Sequence, residues 1–371
     1  TTPRSNRRQR QMCIRDSPGS FFRREARAGE QAILTCRLAD RPLRPAFPDG
    51  FRNEVHIVGT VIGADQENPY DVLAINAASA ALSISPIPFD GPIGATRIAY
   101  SADGEWIPHP TYEEGTDSAF EMVVAGRLLD DGDIAVMMVE AGGTESTWEL
   151  FEAGDAKVDE AVLAEGLEAC KATIKQAIAL QQELIDAVGG KPEIFEYTTA
   201  VDYSPEIMDA VMATGGDRIA SAQQIADKAE RTAAEGELRD ALVDELVGQF
   251  EGTEDADKQI KNAIRSATKA AVRKRIVEDG VRIDGRGLAD LRELSAEVAV
   301  VPTAHGSGLF QRGDTQVLNF TTLGMKRMDQ MVDGIDPVTR KRYMHHYNFP
   351  PFSTGETGFM RGPKRREIGH G

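Results

Sequence analysis

Phe120-Glu121-Met122-Val123-Val124-Ala125-Gly126 and Ile134-Ala135-Val136-Met137-Met138-Val139-Glu140 flank the tetrapeptide Asp130-Asp131-Gly132-Asp133. Two apolar runs of strand length on either side of an Asp/Gly turn read as an antiparallel hairpin. Directly downstream, Val158, Val162, Leu167, Ile174, Ile178, Ile185 and Val188 recur at near-helical spacing until Gly189-Gly190 and Pro192 stop the pattern. A hairpin feeding a long amphipathic helix makes this part of the chain α/β. Upstream, Asp71–Ser83 (DVLAINAASAALS) lies between Pro69 and Pro86 and predicts a small-residue helix able to lie close against a sheet. Before it, the β-branched run around Val55, Ile57, Val58 and Val61 predicts a largely buried strand.

Beyond the long helix the period stays helical. Ser204-Pro205-Glu206 is an N-cap with proline at the first helical position. Leu238, Leu242, Leu246, then Ile260, Ile264, Val272 and Ile276 continue at helical spacing, so residues 205–278 read as a small all-helical domain. The composition changes at Asp279-Gly280. Ala296–Val301 reads as a strand, and Leu309–Leu318 as two strands joined at Gly313-Asp314.

Residues 1–17 stand apart. The run Arg7–Ser17 has neither helical nor strand periodicity and resembles the in-frame translation of a transposase-type sequencing adapter, so 1–17 is expected to be non-native and the fold is read without it. The alternative is a basic arm that binds RNA.

The 371 residues carry a formal net charge of -17. That total is unevenly spread: residues 1–60 are net +6, 101–260 net -27, and 261–371 net +7. A polyanion responds to charge within roughly a Debye length of ~8–10 Å, so the acidic total does not exclude acidic partners. No apolar run approaches the ~18 residues needed to span a bilayer, and the basic N-terminal residues lack the apolar core of a secretory signal. Three cysteines, Cys13, Cys36 and Cys170, do not make a disulfide scaffold and point to a reducing, cytoplasmic setting. Neither a Walker loop, a dinucleotide fingerprint nor a G-x-S-x-G elbow occurs.

Two arginine clusters carry the candidate chemistry. The first is Phe21-Phe22-Arg23-Arg24-Glu25-Ala26-Arg27 with Arg37, Arg41 and Arg44; the second is Lys364-Arg365-Arg366-Glu367 after the Gly/Pro-rich loop 355–363. Guanidinium forks suit phosphates and stack on bases, so arginines beside aromatics suit single-stranded nucleic acid. Surface ion pairs with Glu25, Glu30 and Asp40 are the alternative for the first cluster. The second echoes the first in its Arg-Arg-Glu triplet. His305 in His305-Gly306-Ser307-Gly308 could donate to a phosphate or be structural. His345-His346 would point to opposite faces of a strand, and with no nearby cysteine zinc is not expected. Asp284, Asp290 and Asp314 show no spacing that marks a magnesium pair.

At these residues a resemblance becomes specific. FFRREAR (21–27), RLADRPLRPAFPDGFRNEV (37–55) and NAASAALSISPIPFDGPIGATR (76–97) resemble the first core domain of the bacterial polynucleotide phosphorylase family. RIDGRGLADLREL (282–294), HGSGLFQRGDTQ (305–316) and RKRYMHHYNFPPFSTGETGFMRGPKRREIGHG (340–371) resemble the start of its second. The resemblance implies α/β plus all-α architecture: two ribonuclease PH-like (ribosomal protein S5 domain 2-like) domains flanking a helical domain. The expected layout is 18–190 for the first, with its opening strands missing, 205–278 for the helical domain, and 279–371 for a truncated second.

The family implies 3′-to-5′ phosphorolysis of single-stranded RNA to nucleoside diphosphates, a homotrimeric ring, inorganic phosphate as co-substrate, Mg2+ as cofactor and no membrane. Arg23, Arg24 and Arg27 match its RNA-contacting loop, and Arg37, Arg41 and Arg44 the arginines that follow. His305 matches a histidine at the phosphate and RNA end, and Arg365 and Arg366 lie in a segment beside the active site. Ala26 stands where the family usually has Gly, and Thr303 where Arg is common. The metal-binding aspartates and the phosphate loop are expected beyond Gly371, so no complete catalytic set and no metal site is expected in this chain. It is expected to be inactive alone. A non-catalytic RNA-binding or ring-scaffold fragment is the alternative, and an unfolded remnant a third reading.

Overall fold

The structure is a computed structural model, and it describes residues 11–15, 28–155, 157–332, 334–360 and 362–371. Two compact units divide it: the chain up to Thr199 together with Asp329–Gly371, and Ala200–Met328. The segment expected to open the second α/β domain, 279–371, is thus divided between them.

In the first unit, β1 (Gln11–Arg15) pairs in parallel with β2 (His56–Thr60), and α1 spans Glu30–Leu43. Both strands correct the sequence reading. Gln11–Arg15 was expected to lack strand character and instead holds a continuous ladder. The region around β2 was expected to be largely buried, yet Val55 just before it is buried while Val58 within it is 57% exposed. The reason is its pairing, since β2 joins β1 in a two-stranded sheet rather than entering the larger one.

That larger sheet follows α2 (Asp71–Ser83). Strands β3 (Ile93–Tyr100), β4 (Trp106–Pro108), β5 (Phe120–Leu128) and β6 (Ile134–Gly143) stand in the antiparallel order β4-β3-β5-β6, with α3 (Tyr112–Asp117) between β4 and β5. The hairpin read from the sequence is β5–β6. Two more helices follow, α4 (Thr147–Ala153) and α5 (Glu160–Ala187).

Strand alternation sorts the core into two layers. Ile93, Ala95, Val123, Ala125 and Met138 face α1 and α2, where Cys36, Ala39, Leu43, Ile75 and Leu82 meet them. Ile98, Met122 and Val124 face α5, where Cys170, Ile174 and Ile178 meet them. Gly94 permits this second contact, because a Cβ there would lie 2.6 Å from the Ile174 carbonyl oxygen.

The small residues of α2 also close a sheet edge. β4 covers β3 only at Ile98–Tyr100, leaving the backbone of Ile93 and Ala95 without a strand partner on that side among the described residues. Asn76 accepts from Ala95 N at 2.8 Å and donates to Ala95 O at 3.1 Å, while Ser79 Oγ accepts from Ile93 N at 2.8 Å. Side chains of the helix thus replace a missing strand. At the start of the same helix, Asp71 meets Arg97 of β3 at 2.5 Å, and Arg97 meets Glu121 of β5 at 2.7 Å.

The second unit begins with α6 (Pro205–Ala222), α7 (Lys228–Val247) and α8 (Ala256–Asp279). Ser204 and Asp227 cap α6 and α7 through Ile207 N and Glu230 N. Ile207, Val211, Ile219, Leu242, Leu246, Ile260 and Ile264 form their shared core. Strands β7 (Leu294–Val298), β8 (Gly306–Arg312) and β9 (Thr315–Thr321) follow as an antiparallel meander, turning at Gly313 with φ +58. The strand expected at 296–301 therefore sits two to three residues earlier.

The last segment belongs to the first unit. It holds the short antiparallel pair β10 (Gln330–Met331) and β11 (Arg340–Lys341), a 3-10 turn at Pro351–Thr354, and α9 (Arg365–His370). His345 and His346 lie outside any strand, so the strand geometry considered for them does not apply.

Candidate functional site

Arg37, Arg41 and Arg44 recur at intervals of four and three residues, which places them along one side of α1 and its C-terminal end. Their surroundings differ. Arg44 forks onto Asp40, with Nε–Oδ2 at 3.0 Å and Nη2–Oδ1 at 2.7 Å. Arg41 is ion-paired with Glu140 of β6 and donates to Val139 O at 3.1 Å. The ion-pair alternative therefore holds at Arg44 and Arg41, with Asp40 as foreseen and Glu140 not foreseen. Glu30 pairs instead with Lys341, at 2.9 Å.

Arg37 lies half-buried beside α9, where a Cβ at Gly369 would collide with its guanidinium stem. Glycine at 369 is what lets the two helices approach. Within α9 and the segment 347–349, cations and rings gather. Arg366 lies 5.0 Å over the ring of Phe349, Phe349 stacks on Tyr347 with centroids 6.1 Å apart, and Tyr347 meets His370 at 4.9 Å. Glu367 ties these parts together by accepting from Lys364 N at 2.7 Å and Phe349 N at 3.2 Å. Those two N–H groups, that of Lys364 first, hold its carboxyl below the usual range.

The structure therefore brings Arg37, Arg365 and Arg366 into one region of the first unit. His305 belongs to the second unit. Its exposed ring accepts Leu323 N on Nδ1 at 3.0 Å, so the neutral ring carries its proton on Nε2, free to donate. Arg23, Arg24 and Arg27 lie outside the described residues. Tyr347, Phe349 and His370 were not singled out from the sequence, although a Tyr-x-Phe pair close to an arginine run was a readable signal for a stacking platform.

A cavity of about 380 Å³ lies elsewhere in this unit, lined by Tyr70, Asp71, Arg97, Tyr112, Glu121 and Glu145 among others. Burial opposes the charge of Arg97, but Asp71 and Glu121 outweigh it and keep the guanidinium fully protonated. Burial first, and then Asp336 accepting its proton at 2.6 Å, push the Tyr112 hydroxyl well up. With its one lining arginine already engaged, this cavity is a poor anion site.

The described residues do not fit a magnesium ion, since no group of three or more His, Cys, Asp or Glu side chains converges among them. Asp284 is forked by Arg286 at 2.9 and 2.7 Å, which lowers its pKa to about 2, and Asp290 accepts Gly287 N at 2.7 Å.

Comparison with known proteins gives the geometry its context. The model of the 3′ exoribonuclease family, domain 1, matches twice, at residues 8–88 and 290–371. The first match starts ten residues ahead of Pro18. The model of the polyribonucleotide nucleotidyltransferase RNA binding domain matches residues 206–287, the helical region. The polyribonucleotide nucleotidyltransferase of Nocardia farcinica is 53% identical over 362 residues, covering 95% of this chain and 47% of its own length. Those of Parafrankia sp. (53% over 355 residues, 95% and 48%) and Acidothermus cellulolyticus (54% over 354 residues, 95% and 44%) are similar to the same degree. The chain spans about half the length of the curated relatives it matches.

Proposed function

The chain belongs to the polyribonucleotide nucleotidyltransferase family, and from that footing we propose that it serves, as part of a longer enzyme, in phosphorolytic degradation of single-stranded RNA from the 3′ end. In this reaction an oxygen of orthophosphate attacks the terminal phosphodiester phosphorus. The bond to the 3′ oxygen of the preceding nucleotide breaks, that oxygen takes up a proton, and a nucleoside 5′-diphosphate departs. Two anionic groups must meet, so fixed cations and positioning carry the catalysis.

The observation that supports this reading most is the approach of α9 to Arg37. It gathers Arg37, Arg365 and Arg366 beside the Phe349–Tyr347 stack, which suits a strand end held by its phosphates and bases. In this reading Arg365, Arg366 and His305 contact phosphate, while Arg23, Arg24, Arg27, Arg37, Arg41 and Arg44 guide the strand. Arg41 and Arg44 would exchange their present carboxylate partners for RNA.

The proposal extends to mRNA turnover in the cytoplasm, a homotrimeric ring, and magnesium as the cofactor of the longer enzyme. Among the described residues no helix is long and apolar enough to cross a membrane. The domain layout proposed is 18–190, 205–278 and 279–371, with 1–17 non-native. A second reading, RNA binding without catalysis by these 371 residues alone, is favoured by their covering only about half of each relative.

The test is Arg365→Gln/Arg366→Gln in the full-length protein. Phosphate-dependent shortening of a 3′-hydroxyl RNA should slow by at least about tenfold, the scale for losing a charge-assisted phosphate contact, with an unchanged melting temperature. Undiminished shortening would return these arginines to a structural role. The 371-residue chain should bind the same RNA without releasing diphosphates.

A further inference from the structure

The helical part of the second unit is strongly polarised. Residues 205–257 carry 14 acidic and 4 basic side chains, whereas 258–277 carry 7 basic and no acidic ones. All seven cations lie on α8: Lys258, Lys261, Arg265, Lys269, Arg273, Lys274 and Arg275. Four of them have local partners. Lys258 pairs with Asp255 at 3.2 Å, Lys261 with Asp257 at 2.9 Å and Lys274 with Glu278 at 3.8 Å, while Arg275 donates to Gln223 O at 2.6 Å.

Arg265, Lys269 and Arg273 are different. All three are exposed, and none has an ion pair or hydrogen bond among the described residues. At 100° per residue they lie opposite Ile260, Ala263, Ile264 and Ala267, which hold α8 to the core. Steps of four residues at ~1.5 Å each set the three cations about 6 Å apart along the helix, a spacing commensurate with successive phosphates of an extended strand.

We infer that the outward face of α8, through Arg265, Lys269 and Arg273, is a binding track for the phosphate backbone of single-stranded RNA. This rests on the RNA-degrading reading above and names a face and residues within the helical region, whose matching family model is that of an RNA binding domain. The carboxylates nearest in sequence, Asp255, Asp257 and Glu278, are engaged by Lys258, Lys261 and Lys274 on the same helix, so they do not neutralise the three. No aromatic side chain occurs anywhere in 258–277, which leaves no stacking platform there. Binding on this face is therefore electrostatic, indifferent to base sequence and steeply dependent on salt.

The test uses the 371-residue chain and a fluorescein-labelled 20-nucleotide oligouridylate, with anisotropy read from 50 to 200 mM salt. Three phosphate contacts contribute about -2 to the slope of log K against log salt, or roughly 20-fold in affinity across that range. Arg265→Gln/Lys269→Gln/Arg273→Gln should remove that share of the slope and weaken binding most at 50 mM, with the thermal melt unchanged. A control that also removes three charges, Lys228→Gln/Arg218→Gln/Arg239→Gln on α6 and α7, should keep the slope.

An unchanged slope in the α8 variant, with RNA still bound, overturns the track and leaves the RNA-degrading reading intact. Equal loss in the control overturns it in favour of a net-charge effect. Displacement of the RNA by polyglutamate of matched charge at the same concentration overturns it in favour of an acidic protein partner. Failure of the unaltered chain to bind the oligonucleotide at 50 mM overturns both readings together.

Discussion

Replacing Arg97 by Met probes what holds the start of α2 to the sheet. Arg97 of β3 is clamped between Asp71 at the start of α2 and Glu121 of β5, at 2.5 and 2.7 Å. The three side chains retain 20%, 12% and 27% of their exposure, so the cluster is mostly buried. Removing one partner of a buried pair costs ~3–5 kcal/mol, because the other charge is stranded, and the remaining solvent contact argues for the lower end. Here two carboxylates are stranded at once, about 3 kcal/mol in all. For a unit of ~150–250 residues that corresponds to a fall of about 6–12 °C in melting temperature. The triple variant Asp71→Asn/Arg97→Met/Glu121→Gln strands no charge and should recover about half or more of the loss. Circular dichroism melts of the three proteins at neutral pH decide the matter. A shift below about 2 °C in Arg97→Met, or no recovery in the triple variant, would refute the reasoning.

Gly94→Ala should destabilise the same unit by about 1–3 kcal/mol, because the new methyl meets the Ile174 backbone 2.6 Å away and the helix must shift; a denaturant melt checks it, and an unchanged midpoint contradicts it. Asp284 should titrate at about 2 under carbon-13 NMR, since Arg286 holds it ionised. Its folded pKa is depressed, so its contribution to stability is complete above the ordinary aspartate range and lost only as pH falls from about 4 toward 2; an ordinary titration near 4 would break the Arg286 fork as described. Cys170 is buried against Ile174 and its thiol is pushed up to about 12 by desolvation, so a thiol-exchange reagent should reach it only after unfolding. Prompt reaction in the native protein would contradict that burial.

Local physics was legible in the sequence where it acts over a few residues. The Asp130–Asp133 turn, the proline limits of α2, the Ser204 cap and the glycine stop after α5 each depend on near neighbours, and each element forms as read. Burial of β2 was not legible, because β-branched composition says nothing about which sheet a strand joins. The contact of Arg37 with Gly369 spans most of the chain and no local pattern announces it. Glu140 as the partner of Arg41 was hidden for the same reason, whereas Asp40, one of three carboxylates considered for the cluster, pairs with Arg44 one helical turn away. The α8 track was lost to averaging: counting charge over 101–260 and 261–371 cut the helix in two and folded its cations into opposite totals.

The central claim is that the RNA 3′ end is cleaved by phosphate rather than by water. Full-length protein, a 3′-hydroxyl RNA and radiolabelled orthophosphate test it directly. The account predicts nucleoside diphosphates carrying the label in the β position, formed one nucleotide at a time from the 3′ end. Unlabelled nucleoside monophosphates, released equally well without phosphate, would contradict it.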